Sequence, residues 1–238
     1  MLSEFAHWNM PVLFQAGGLD FFILDAEHGA FDYADMSRVI MSARLAGIFV
    51  LVRIPDNTRR DIIKVLDMGA DGILLPMTDT ARDIEKAVEY AKYRPVGKRG
   101  ISTMRAHTLY APPPIGEYMR AANGRVHVFA QIETAKGLEN SESILKTPGV
   151  SGCFLGPNDL SDDLGCLGKA CAEEIISAIG DIGSIARRTG KAAGIITGNI
   201  EYLRCAARAG YLYFSRGSEL NAIKEYCQYS AGLITAEK

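Results

Sequence analysis

The sequence predicts an α/β fold of the (β/α)₈-barrel type, and three observations carry that prediction. Seven short apolar runs alternate with amphipathic segments. The runs are mostly apolar throughout rather than alternating, as in parallel strands covered on both faces. The chain has 238 residues, close to the roughly 250 of one such barrel.

The runs lie at residues 21–24, 49–52, 72–75, 126–132, 150–155, 192–196 and 211–214. They are rich in Val, Ile, Leu and Phe, which suits strands. Helical periodicity fills the gaps at 33–46, 58–68, 80–90, 135–145, 173–188 and 200–209. Gly47, Gly69, Gly190 and Gly210 fall where these helices should stop, as left-handed caps do. Strand–helix alternation implies parallel βαβ units. An eighth strand is missing from the pattern, and residues 1–5 are the candidate remnant. The barrel then begins abruptly, with no helix plugging its lower mouth. The rival is an open doubly wound sheet. It is disfavoured because polar residues follow many strands instead of gathering at one switch point.

No Ser/Gly/Pro-rich or charged linker divides the chain, so residues 1–238 read as one domain. One connection breaks the rhythm. Residues 93–114 carry Pro112, Pro113 and Pro114 and show no strong periodicity. A loop of that length is functional or disordered, suited to covering a site or making subunit contacts.

Composition excludes several classes. Lys plus Arg is 26 against Asp plus Glu at 28, a net charge of −2, which gives no electrostatic reason to expect nucleic acid or an anionic membrane as partner. No apolar run is long enough to span a bilayer. Glu4, His7 and Asn9 interrupt any signal-peptide core. The 5 cysteines, Cys153, Cys166, Cys171, Cys205 and Cys227, form no CxxC pair. They read as buried or incidental thiols, and a cytoplasmic location follows. Neither GxxxxGK[ST] nor a strand-following GxGxxG occurs, so nucleotide cofactors have no support.

Chemistry in such barrels sits at the carboxyl ends of the strands. Asp25, Glu27 and His28 follow the first run, Arg53 the second and Pro76 the third. Gln131 and Glu133 close the fourth, and Gly156, Pro157, Asn158 and Asp159 follow the fifth. Taken singly, each has an ordinary structural explanation: Asp159 a helix cap, Arg53 a surface ion pair, His28 a satisfied imidazole. Together they place carboxylates, an imidazole, a guanidinium and an amide on one rim. Glu133 and Asp159 suit a hard divalent cation such as Mg²⁺ or Mn²⁺, which favours oxygen ligands and takes one or two protein carboxylates. The planar fork of Arg53 suits a carboxylate. Lysine-based chemistry is disfavoured, since a Schiff-base lysine would have to lie on a strand and point to the centre. Lys191 precedes its strand and so lies at the wrong end.

The ordered set Leu24-Asp25-Ala26-Glu27-His28-Gly29, Val52-Arg53, Leu66-Asp67-Met68-Gly69-Ala70, Leu75-Pro76-Met77, Gln131-Ile132-Glu133-Thr134 and Gly156-Pro157-Asn158-Asp159-Leu160-Ser161 resembles the HpcH/HpaI aldolase family, the metal-dependent pyruvate aldolases. The likeness runs over nearly the whole chain. It implies a barrel of the phosphoenolpyruvate/pyruvate type with a trimmed N-terminus. It also implies a metal-dependent aldolase that reversibly cleaves 4-hydroxy-2-oxo acids to pyruvate and an aldehyde through a stabilised pyruvate enolate. The resemblance assigns Mg²⁺, Mn²⁺ or Co²⁺ to Glu133 and Asp159, and the pyruvate carboxylate to Arg53. Gln131 and the backbone of Gly156 to Asn158 would line the pyruvate pocket. His28, paired with Asp67, would move a proton, and Glu27 would orient water or a ligand from behind. A homo-oligomer is implied too, often a hexamer built as a trimer of dimers with the final helix packed on a neighbour. Residues 99–102 match the family's Gly/Arg loop only loosely. Two other readings compete: an acyl-CoA lyase of the citrate-lyase or malyl-CoA-lyase type, and a barrel that binds a metabolite without turning it over.

Overall fold

The computed structural model describes residues 1–169 and 172–235. Its centre is one parallel sheet of seven strands in sequential order, β1 to β7. They are β1 (Phe21–Asp25), β2 (Phe49–Arg53), β3 (Gly72–Leu75), β4 (His127–Ile132), β5 (Gly152–Leu155), β6 (Ala192–Ile196) and β7 (Tyr213–Ser215). Around them run α1 (Met10–Ala16), α2 (Tyr33–Ala46), α3 (Arg59–Met68), α4 (Ala81–Ala91), α5 (Ile115–Arg125), α6 (Ala135–Glu139), α7 (Ser141–Lys146), α8 (Pro157–Asp163), α9 (Glu173–Thr189), α10 (Ile200–Arg208) and α11 (Glu219–Thr235).

The seven runs read from the sequence are these seven strands. The eighth strand is not a full one. Leu2 makes a single parallel bridge to Leu24, its N–H donating to the Ile23 carbonyl at 2.7 Å. On the other side the Glu219 N–H donates to the Met1 carbonyl at 3.2 Å. The Glu219 carboxylate then accepts from the backbone N–H groups of Ser3 (3.0 Å), Glu4 (2.6 Å) and Phe5 (3.2 Å). A short extended segment and one buried side chain thus stand where a complete (β/α)₈ barrel has a strand. The result is a seven-stranded, nearly closed barrel.

Side-chain alternation sorts each strand into two layers. Ile23, Leu51, Leu74, Phe129 and Phe154 point inward and pack on one another inside the barrel. Leu24, Val50, Val52, Ile73, Val128, Ala130, Cys153 and Leu155 face the helices and form the larger core. The inner layer is tight. A Cβ on Gly194 would stand 2.6 Å from the Phe154 ring, so only glycine fits opposite that phenylalanine.

The predicted stops hold: Gly47, Gly69, Gly190 and Gly210 all have positive φ. The single helix read over residues 135–145 is instead α6 and α7. Asn140 ends one and starts the other, and its side-chain amide donates to the Asp79 carbonyl at 3.0 Å. The weakly periodic α1 and α5 escaped sequence reading. The long connection 93–114 is ordered and lies along the outside of α3, with Arg99 on Asp67 at 2.7 Å and His107 against Arg44. Cys153 and Cys166 are buried, Cys205 and Cys227 are not, and all four are free; Cys171 lies outside the described residues. Lys191 is bound to the Val150 carbonyl at 2.6 Å, at the end of the barrel where strands begin. Among the described residues no helix is long and apolar enough to cross a membrane.

Candidate active site

The inward parity of the strands carries straight into the site. Ile23 is followed two residues on by Asp25, Leu51 by Arg53, and Phe129 by Gln131 and then Glu133. Register places Asp25 beside Arg53. Their side chains form a buried, two-bonded pair, Nε to Oδ1 at 2.8 Å and Nη2 to Oδ2 at 2.6 Å. Glu27 reaches the same Nε at 3.2 Å. Sequence reading gave the whole Arg53 fork to a ligand. In the fold one edge of it belongs to Asp25, because the two residues are cross-strand neighbours within direct hydrogen-bond reach. Asp25 itself was missed as a site residue, although the strand-end rule that found Arg53 also points to it.

Glu133 is 3% exposed. Its Oε1 accepts from the Met77 backbone N–H at 2.7 Å, and its Oε2 accepts from the Gln131 side chain. Met77, just past β3, holds φ at +47°, an unfavourable left-handed value for a residue with a side chain. That strain aims its N–H at Glu133 and is the kind found at functional sites. Burial pushes the Glu133 carboxyl up to about 7, against the pull of its two hydrogen bonds and with help from the charges of Asp159 and Glu27. The Glu27 carboxyl is raised as well, first by burial, with the Arg53 guanidinium opposing.

Glu133, Glu27 and Asp159 therefore sit within each other's field, while Asp159 itself is exposed at the start of α8. Gly156 contributes by what it lacks. A Cβ there would lie 2.8 Å from Glu133 Oε2. Its N–H is occupied by the Ile132 carbonyl at 2.9 Å, so as a backbone donor it is spent. Asn158 is exposed at the mouth.

These groups fit a hard cation. The donors are all oxygens, and the carboxylates Asp25, Glu27, Glu133 and Asp159 outnumber the one guanidinium among them. Gln131 Oε1 is buried without a hydrogen-bond partner, an acceptor left over beside Glu133. No group of three or more His, Cys, Asp or Glu side chains among the described residues is arranged to enclose a metal, so any cation here would take two carboxylates and complete its shell with water and substrate oxygens.

His28 stands at the mouth, its side chain 73% exposed and Nε2 3.9 Å from Glu27. Asp67 is not its partner. The Asp67 carboxylate holds Arg99 at 2.7 Å and lies 3.8 Å from His107. The reason is directional: α3 runs antiparallel to the strands, so its last turn, where Asp67 sits, is at the far end of the barrel from His28. Beside His28 a cavity of about 590 Å³ extends toward β6, β7 and the start of α11.

The HpcH/HpaI aldolase/citrate lyase family model matches residues 6–224. The 5-keto-4-deoxy-D-glucarate aldolase of Klebsiella pneumoniae is 32% identical over 211 residues, which is 89% of this chain and 82% of that relative. The crystal structure of an HpcH/HpaI aldolase from Desulfitobacterium hafniense superposes with a TM-score of 0.93 at 29% identity, covering 98% of this chain and 90% of the other. The CitE protein of Mycobacterium tuberculosis, crystallised with magnesium and pyruvate, shares the fold at a TM-score of 0.55 and 18% identity, over 90% of this chain and 84% of that one. With the strand-end carboxylates and the Asp25–Arg53 pair in the same barrel mouth, the chain belongs to the HpcH/HpaI aldolase/citrate lyase family and is a carbon–carbon lyase.

Proposed function

We propose that the protein is a divalent-metal-dependent aldolase that cleaves 4-hydroxy-2-oxo acids to pyruvate and an aldehyde, and runs the addition in reverse. The observation that carries this is Glu133: a carboxyl kept in a dry, tightly built socket, within the field of Asp159, with one guanidinium nearby. Such a socket costs stability unless a cation discharges it. The magnesium and pyruvate bound by CitE support the same reading.

Glu133 and Asp159 would hold the cation, which when bound supplies Lewis-acid stabilisation of enolate charge. The chain's own groups do the rest. Asp25 fixes the Arg53 guanidinium through its Nε/Nη2 edge, so the Nη1 side is presented, already oriented, to the substrate carboxylate. Gln131, held by Glu133, lines the same pocket. Cleavage removes the proton of the C4 hydroxyl, breaks C3–C4 and returns a proton to C3. His28 Nε2, open to the mouth, moves the hydroxyl proton, with Glu27 rather than Asp67 as the nearby carboxylate.

We further propose a homo-oligomer. Leu220, Ile223, Tyr226, Tyr229 and Leu233 form an exposed stripe along α11, and a second copy is its natural cover. The direct test of function is pyruvate release from a synthetic 4-hydroxy-2-oxo acid, with and without chelator. Metal-dependent release is expected. Binding of the acid without turnover in any divalent metal would refute the aldolase and favour a metabolite-binding barrel.

A further inference from the structure

Glu133 and Asp159 stand on different βα units, and a cation shared between them needs their spacing fixed. Both are tied to one short stretch of backbone, residues 134 and 135, where α6 begins. Glu133 immediately precedes it. Thr134 is the N-cap of α6, and its Oγ1 accepts the Gly137 N–H at 2.9 Å while donating to Asp79 Oδ1 at 2.6 Å. The Ala135 N–H, one of the donors that a helix start leaves free, goes to Asp163 Oδ2 at 2.6 Å. One carboxylate from the β3–α4 turn and one from α8 thus hold the first turn of α6.

Asp79 belongs to the same turn as Met77, whose N–H donates to Glu133. A left-handed residue with a side chain persists only where its surroundings over-determine it. Here the residues after Met77 are pinned. The Thr78 N–H donates to the Gln131 carbonyl at 3.1 Å, and the Thr78 hydroxyl to the Leu75 carbonyl at 2.9 Å. The Asp79 carbonyl is held by Asn140, and its carboxylate by the Thr134 hydroxyl, with Lys136 Nζ 3.4 Å away. The helix rests directly on this turn: a Cβ on Gly137 would stand 2.7 Å from the Thr78 carbonyl oxygen. On the other side, Asp163 comes four residues after Asp159 on α8, so the two side chains share one face of that helix. The bond from Ala135 to Asp163 therefore orients the face that carries Asp159.

We propose that Asp79 and Asp163 are positioning residues for the cation site. Asp79 keeps Glu133 against the Met77 N–H, Asp163 keeps Asp159 in place relative to Glu133, and neither is itself a ligand. The proposal rests on the assignment of the cation to Glu133 and Asp159, and the experiment separates the two. Mn²⁺ is titrated into metal-free protein and the free ion is read by electron paramagnetic resonance, with no substrate present. Binding by the wild type and its loss in Glu133→Gln are expected. Asp79→Ala and Asp163→Ala should each weaken binding by about 10- to 100-fold, the scale of losing an outer hydrogen bond around a metal site. Loss of a nearby negative charge also weakens cation binding, so Asp79→Asn and Asp163→Asn decide between the two causes. Each drops the charge and keeps an oxygen acceptor, and each should hold Mn²⁺ nearly as well as the wild type. Asp163 is exposed, so Asp163→Ala leaves the core intact and carries the test even where Asp79→Ala fails to fold. Unaltered affinity in the alanine variants, or asparagine variants as weak as the alanine ones, would overturn the positioning role and leave the cation site standing. Absence of Mn²⁺ binding by the wild type, or full affinity in Glu133→Gln, would remove the cation assignment and this proposal with it.

Discussion

Arg53 and Glu133 show how one site uses burial in opposite ways. Arg53 is a buried cation held by a buried anion, an arrangement that is costly to break from one side. Lysine at this position keeps the charge and one contact to Asp25 but loses the fork. Arg53→Lys is expected to lower kcat/KM for pyruvate release by about 100-fold, the scale of one preorganised donor. Stability should change by only about 1–2 kcal/mol. Near-normal kcat/KM would show that the guanidinium serves Asp25 and not the substrate. Glu133 is a buried carboxyl held by two hydrogen bonds, with no such ion pair among the described residues. Its carboxyl stands at about 7 in the fold against 4.5 for an ordinary glutamate. Between those values the folded protein keeps a proton that the unfolded chain has shed. The stability due to this group is therefore full below about 4.5 and declines as pH rises to about 7. A cation must displace that proton. Mg²⁺ affinity is accordingly expected to weaken about tenfold per pH unit below 7 and to level off above it. Calorimetric titration in two buffers of different ionisation enthalpy would count the proton, and an affinity flat from about pH 5.5 to 8 would contradict the socket described for Glu133.

At the scale of elements, the barrel solves its eighth position with almost no strand. Leu2 supplies one bridge to β1, and Glu219 gathers the N–H groups of Ser3, Glu4 and Phe5. A carboxylate accepting several N–H bonds in a dry setting replaces the ladder that a full strand would have made. Glu219→Ala leaves those donors without their acceptor. It is expected to cost about 2–4 kcal/mol, the sum being less than additive, read as a lowered urea midpoint. Because Ser3 and Glu4 border the mouth cavity, substrate KM should rise as well. A midpoint within about 0.5 kcal/mol of wild type would mean that the segment is held by Leu2 alone. The neighbouring α8 illustrates the reverse economy. It is only 7 residues long, yet it fixes Asp159 next to the end of β5, anchored by buried Pro157 and by Leu160 in the helix-facing core.

The whole molecule leaves one helix without a cover. Among the described side chains of α11 only Glu219 is buried, while Ile223, Tyr226 and Tyr229 are 49%, 71% and 65% exposed. A second apolar area lies on α1 and α2, where Trp8, Val12 and Leu45 border a groove of about 730 Å³. Contiguous apolar patches of this kind mark interfaces. Light scattering at micromolar concentration is expected to show an oligomer, and Tyr226→Glu with Tyr229→Glu should shift it toward monomer. A monomeric wild-type protein would end the proposal. The same scale explains the long connection 93–114. It packs beside α3 through Arg99 and Asp67, with Ile101, Met104 and Tyr110 exposed at its surface.

Much of this molecule was legible in the sequence, and the divide follows contact distance along the chain. The seven strands, the glycine stops and the strand-end positions of Arg53, Gln131, Glu133 and Asp159 are local properties. Hydrophobic runs, parity and caps depend on neighbours a few residues apart, so the sequence by itself determined them. Parity even decides which side chains face the barrel interior: Phe129, Gln131 and Glu133 must share a side. What only the tertiary structure decided are the pairings between distant segments. Asp25 taking one edge of Arg53, Met77 turning its N–H to Glu133, Asp67 lying with Arg99 instead of His28, and Glu219 standing in for a strand all join residues from different βα units. Their partners depend on register, helix direction and how far the sheet closes. Those are set by the packing of the whole core, where each side chain's choice is made among neighbours that the linear order does not bring together.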